Sequence, residues 1–136
     1  MSKLKLIEND PWLEPYEPAI QGRYDYYVRR RNELTDNGAK KLKDVVCGHK
    51  YYGLHKTKKG WTFREWAPNA TEIYLIGDFN EWQEKPEYKL TRLNGHGDWE
   101  VNLPADAIHH EDYYKMKVYW QGGSGERIPA YVRRVV

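Results

Sequence analysis

From residue 49 onward the chain breaks into short runs rich in aromatic and β-branched residues, each closed by glycine, proline or asparagine, about ten residues apart. A helix needs a longer uninterrupted stretch, so this punctuation commits the region to strands. Seven runs, at 49–55, 61–66, 71–77, 87–93, 98–104, 112–120 and 127–136, predict a mainly β fold, a small antiparallel sandwich. Turns are expected at the Lys-Lys-Gly of 58–60, the Asn-Gly-His-Gly of 94–97 and the Gly-Gly-Ser-Gly of 122–125.

The first 48 residues read differently. Asp10 before Pro11 offers a helix N-cap with proline at the first helical position, and Ile20, Tyr24, Tyr27, Val28, Arg31 and Leu34 recur at helical spacing on one face. Asn37-Gly38 tolerates the left-handed backbone of a helix end. A second short helix is expected from Ala39 to Cys47, with Leu42, Val45 and Val46 turned inward. Two such helices cannot make a core alone, so the expected organisation is a helical segment over 1–48 and a β module over 49–136. A length of 136 residues suits one domain with an appendage. The sequence stops at Tyr131-Val132-Arg133-Arg134-Val135-Val136, within an expected strand, which suggests a fragment of a longer polypeptide.

A net charge of +2, from 22 basic and 20 acidic residues, gives no field that would favour nucleic acid or an anionic membrane. Arg29-Arg30-Arg31, Lys40-Lys41-Lys43 and Lys56-Lys58-Lys59 are interleaved with acids such as Asp25, Glu33 and Asp44 and read as solvated faces. The single Cys47 excludes an intrachain disulfide, reads as a buried helix residue, and favours a reducing compartment. With no apolar run of signal or membrane-span length, a cytoplasmic location is expected.

The aromatic content is skewed: six Trp and twelve Tyr against two Phe, so nearly every ring carries a polar handle. Side chains alternate across a strand, which puts Trp61, Phe63 and Glu65 on one face and Thr62, Arg64 and Trp66 on the other, wetter one. The same alternation turns Tyr114, Met116 and Val118 inward and leaves Lys115 and Lys117 outside. Trp66 then either faces solvent beside the rigid Pro68 or is covered by the N-terminal helices. An exposed indole with donors nearby suits a sugar, whose C–H face takes the ring while amides, lysines and carboxylates take the hydroxyl edge.

The run F-R-E-W-A-P-N-A followed by E-I-Y-L-I-G-D-F-N-E-W, over 63–82, resembles carbohydrate-binding module family 48, an immunoglobulin-like domain that precedes the catalytic barrel of glycogen and starch branching enzymes. D-P-W-L-E-P-Y at 10–16, G-x-x-x-Y-G-L-H at 48–55, G-D-W-E-V at 97–101 and R-I-P-A-Y-V-R-R-V at 127–135 are similar to the N-terminal region of 1,4-α-glucan branching enzymes of glycoside hydrolase family 13. The resemblance covers essentially the whole chain. It implies an immunoglobulin-like antiparallel β-sandwich with a short N-terminal helical segment, and a sugar-stacking Trp82 with a sheet Lys115. It further implies a groove between helix end and sandwich formed by Asn37, Trp66, Pro68 and the His96-Gly97 turn. The loop 122–126 carries no aromatic where kinase-subunit members place a second ring, which puts a two-ring clamp in doubt and ranks Trp66 above Trp82.

The implied partners are α-1,4-glucan oligosaccharides, glycogen or starch, and the catalytic barrel of a parent chain. Retaining glycosyl transfer needs two carboxyl groups about 5 Å apart, mounted in a barrel of typically ~250 residues, so no catalytic residue is expected in these 136. Asp78, Glu81 and Glu84 read as surface carboxylates around a turn. His109-His110-Glu111 lacks a third ligand at metal spacing, and no metal or other cofactor is implied. Apolar surface left bare in a fragment gives it a route to self-association. The competing readings are a glycogen-targeting scaffold, as in the β subunit of AMP-activated protein kinase, a nucleic-acid-binding sandwich, and a domain that only supports the barrel.

Overall fold

A computed structural model describes residues 4–136, in two units, one ending at Cys47 and the other running from Gly48 to Val136. The first three residues of the helical segment expected over 1–48 lie outside the described residues. In chain order the strands are β1 (Gly53–Thr57), β2 (Gly60–Trp66), β3 (Ala70–Gly77), β4 (Thr91–Arg92), β5 (Asp98–Leu103), β6 (Tyr114–Trp120) and β7 (Gly123–Arg127). They pair antiparallel into a four-stranded sheet, β1-β2-β5-β4, and a three-stranded one, β3-β6-β7. The result is an immunoglobulin-like sandwich with a helical segment before it in the chain.

The alternation of apolar residues sets which side of each strand is buried. Phe63, Ile73, Leu75, Val101 and Met116 are all buried in one cluster, with Tyr114 and Val118 packed against it. Their neighbours Lys115, Lys117 and Tyr74 are only partly buried. Cross-strand pairing opposes Leu75 to Met116 and Ile73 to Val118, so the inward sets of β3 and β6 coincide.

Three expected strands form differently. Over 49–55 the chain begins with a helical turn, α4 (Gly48–Tyr51), and is extended only from Gly53. Pro86 starts a 3-10 turn at Pro86–Tyr88, so the run 87–93 contributes just one bridge, Lys89 to Tyr74, and the two residues of β4. The Gly-Gly-Ser-Gly turn is shorter than expected, and its last three residues open β7. The run 127–136 is not a strand beyond Arg127. Buried Pro129 has no N–H to give a ladder, and the Ala130 N–H is taken by the Glu65 carboxylate at 3.0 Å.

Within the wetter set of β2, Thr62 is buried, its hydroxyl donating to Asn102 Oδ1 at 2.7 Å. On the opposite set Glu65 is buried although charged. Its Oε1 accepts from the Trp66 N–H at 2.9 Å and its Oε2 from Ala130, which ties β2 to the C-terminal segment.

The other unit contains α1 (Lys5–Asn9), a 3-10 turn at Pro11–Tyr16, α2 (Glu17–Thr35) and α3 (Leu42–Val45). Asp10 does cap, accepting from the Trp12 N–H at 3.1 Å with Pro11 behind it, but it opens the 3-10 turn rather than the long helix. The long helix ends at Thr35, whose hydroxyl accepts from the Gly38 N–H, and Asp36, Asn37 and Gly38 follow with positive φ. The expected apolar face is not buried: Tyr24, Tyr27 and Leu34 are exposed, because α2 sets charged groups around all sides of so short an apolar stripe. The second helix is one turn rather than nine residues. Leu42 and Val46 are exposed, and Cys47 is partly exposed and beyond the helix end.

Candidate functional site

Two indoles of the sandwich stand outward, one at the end of β2 and one past the turn that follows β3, and each is held by its own N–H. Trp66, the last residue of β2, is 55% exposed, and its Nε1–H donates to the His96 carbonyl at 2.9 Å. That carbonyl belongs to the 94–97 turn, where Asn94 Oδ1 accepts from the His96 N–H at 2.9 Å and Asn94 Nδ2 donates to Asp98 at 2.7 Å. Below the turn, Gly97 is buried with φ +99°, and a Cβ there would run into Pro68. Only glycine allows so close an approach at that φ. The Ala67 N–H donates to the Gly97 carbonyl at 2.8 Å, Trp99 Nε1 to the Ala67 carbonyl at 2.9 Å, and Arg92 to the Pro68 carbonyl at 2.9 Å.

The corner therefore brings together Trp66, Pro68, His96 and Gly97, four of the residues the sequence singled out. Asn37 belongs to the helical unit, where its N–H donates to the Asn32 carbonyl at 2.8 Å. Asp98, beside the corner, also accepts from Tyr52 Oη at 2.6 Å. Burial, and next that bond, push the Tyr52 phenol well above the ordinary tyrosine range, so it stays a donor.

Trp82 is 41% exposed and lies past a tight turn. Asn80, fully buried, accepts from the Gly77 N–H and donates to the Leu75 carbonyl, both at 2.9 Å. Glu81 and Trp82 then both take φ +60°, unusual for non-glycine residues. Strain of this kind persists only where surroundings impose it, and it concentrates at binding sites. The Trp82 N–H closes on the Gly77 carbonyl at 2.9 Å, and its Nε1–H donates to Asp78 Oδ1 at 3.0 Å. The Lys115 ammonium lies 5.8 Å from the ring centre and is held by Glu126 at 3.1 Å. Trp82 and Lys115 are thus one cluster, with an aromatic plane and a charged donor side by side.

Asp78, Glu81 and Glu84 are exposed. The sequence reading did not find work for two of them: Asp78 also accepts from the Tyr113 N–H at 2.8 Å, and Glu84 accepts from Tyr119 Oη at 2.9 and 2.8 Å. The Glu84 bond raises the Tyr119 phenol above its usual value. Outward alternation on β6 could have pointed to Tyr119, but its partner 35 residues earlier could not be read. Among the described residues no group of three His, Cys, Asp or Glu side chains could hold a metal ion.

Residues 51–132 match the model of carbohydrate-binding module 48, the isoamylase N-terminal domain. The chain is similar over 96% of its length to 1,4-alpha-glucan-branching enzymes of Dictyostelium discoideum (38% identical) and Emericella nidulans (41%). Over 95% of its length it is 35% identical to 1,4-alpha-glucan-branching enzyme 2-2, chloroplastic/amyloplastic, of Arabidopsis thaliana. It spans about one fifth of the length of the first two, at 20% of each, and 16% of the third.

Proposed function

The chain belongs to the carbohydrate-binding module 48 family, and on that footing we propose that it is the non-catalytic α-glucan-binding N-terminal module of a 1,4-α-glucan branching enzyme. Its role is to hold glycogen or starch chains near the catalytic barrel of the parent protein. The observation that carries this reading is the pair of fixed, outward indoles, Trp66 and Trp82, each with its N–H satisfied inside the protein and ring surface left to solvent. A ring so fixed loses little side-chain entropy when it stacks on a sugar. Similarity extending through the helical segment favours a branching enzyme over a kinase-type scaffold.

Affinity for one oligosaccharide is low. A ring burying ~200 Å² gains at most ~5 kcal/mol, and association takes back ~4 kcal/mol or more. On a branched polymer, several weak contacts still raise the local concentration of chain ends around a tethered barrel.

Titration with maltoheptaose, followed by heteronuclear NMR, tests the proposal. Wild type is expected to shift around both indoles. Trp66→Ala should lose the shifts at the 94–97 corner and weaken binding about tenfold, the larger effect because that ring is the more exposed. Trp82→Ala should lose those at the Asp78–Asn80 turn. A wild-type chain that shows no shift at either would end the reading.

Ionic strength separates a sugar from a phosphate ligand. Maltoheptaose affinity should stay flat between about 50 and 200 mM salt, whereas a surface contacting several phosphates would lose orders of magnitude. A steep fall, measured by the same titration, would return the nucleic-acid alternative.

A further inference from the structure

The outer face of the β3-β6-β7 sheet continues beyond Trp82. Alternation places Lys115, Lys117 and Tyr119 of β6 on it, opposite Ile76, Tyr74 and Glu72 of β3 and Glu126 and Ser124 of β7. Tyr119 stands four residues from Lys115, about 13 Å along the strand. Its ring meets Tyr74 edge-on at 6.4 Å, and the Lys117 ammonium lies 5.8 Å from its centre. The hydroxyl is gripped by Glu84, two residues after Trp82, so the Trp82 loop reaches over the sheet to this ring.

The charges on this face cancel locally. Lys115 pairs with Glu126 and Lys89 with Glu72, while Lys117 and the carboxylate of Glu84 bring opposite charges to the same Tyr119 ring. A face of paired ions and half-exposed rings offers many donors and acceptors with little net field, which matches a neutral polyhydroxylated ligand rather than an anion.

We infer that Tyr119 supplies a second stacking ring for the same glucan held at Trp82, making this face a platform for several consecutive sugar units. The inference rests on the α-glucan-binding reading above. It places the second ring on β6, where the loop 122–126 has none. Glu84 orients the ring, Tyr74 braces it edge-on, and Lys117 lies over one of its faces, which leaves the other face for a sugar.

The test compares maltotriose with maltoheptaose on wild type, Tyr119→Ala and Tyr119→Phe, using the full 136-residue chain and reading shifts at Trp82. Wild type is expected to bind the longer sugar more tightly. Tyr119→Ala should keep maltotriose binding and lose roughly three- to tenfold on maltoheptaose. Tyr119→Phe, which keeps the ring, should retain most of the gain. Wild-type affinities for both sugars in Tyr119→Ala would overturn the inference while leaving Trp82 binding intact. So would equal losses in the two variants, since the hydroxyl grip on the loop would then be the whole effect. Absence of any Trp82 shift in wild type would overturn this inference, and absence at Trp66 as well would overturn the reading beneath it.

Discussion

Asn80→Ala is expected to destabilise the sandwich by about 2–6 kcal/mol, because it strips two buried backbone groups of their partners at about 1–3 kcal/mol each. The side chain is 1% exposed and bridges the Gly77 N–H and the Leu75 carbonyl from inside the turn. Alanine does neither. Against a typical total of about 5–15 kcal/mol, such a loss moves the urea midpoint by a large fraction. Function should follow. The positive φ of Glu81 and Trp82 is held by this bracket, so the indole would leave its seat beside Lys115 and the maltoheptaose shifts at the turn would vanish. Asn80→Asp sharpens the argument, since a carboxylate can accept from Gly77 but faces the Leu75 carbonyl with no proton. Burial would raise its folded pKa, so stability should be poor at neutral pH and recover as pH falls and the acid gains a donor. A wild-type midpoint for Asn80→Ala would show that the turn stands without its bracket.

The parts of this architecture that were legible are those with local causes. Period-two alternation in 61–66 and 112–120 identified Phe63 and Met116 as inward, and both are buried. The same alternation put Trp66 on the wetter face, open or covered by the helices, and it is exposed, whereas Trp82 came only from the family resemblance. What escaped depends on partners far along the chain. Glu65 reads as an ordinary polar residue until Ala130 comes to rest on it, 65 positions later. The run 127–136 has every local mark of a strand, yet Pro129 and the claim of Glu65 on the next N–H divert it. Strand β7 was hidden for the opposite reason. Its glycines signal a turn, but Gly123 and Gly125 lie against the Trp120 ring, which fills the space their side chains would occupy. Tyr119 needed Glu84 and the register of β6 before it could be seen as more than one aromatic among many.

Gly97→Ala should be nearly as damaging, for reasons of space rather than lost hydrogen bonds. At φ +99° an L side chain is strained by about 1–3 kcal/mol, and the added methyl would enter Pro68, which overpacking raises by about 1–3 kcal/mol more. Pro68 cannot retreat freely, because Arg92 holds its carbonyl and Trp99 holds that of Ala67 next to it. The turn must give way instead. Its carbonyls seat Trp66, one through the indole N–H to His96 and one through the Ala67 N–H to Gly97. Thermal unfolding of Gly97→Ala should therefore show a midpoint lowered by several degrees, and the maltoheptaose shifts at Trp66 should disappear while those at Trp82 persist. Gly95→Ala in the same turn is the control. A methyl there meets nothing within 4 Å, so its stability should stay within about 0.5 kcal/mol of wild type. If Gly97→Ala unfolds early yet keeps the Trp66 shifts, the corner is a structural seam and the indole does not depend on it. Loss of both together would make the close approach of Gly97 to Pro68 the feature that aims the ring.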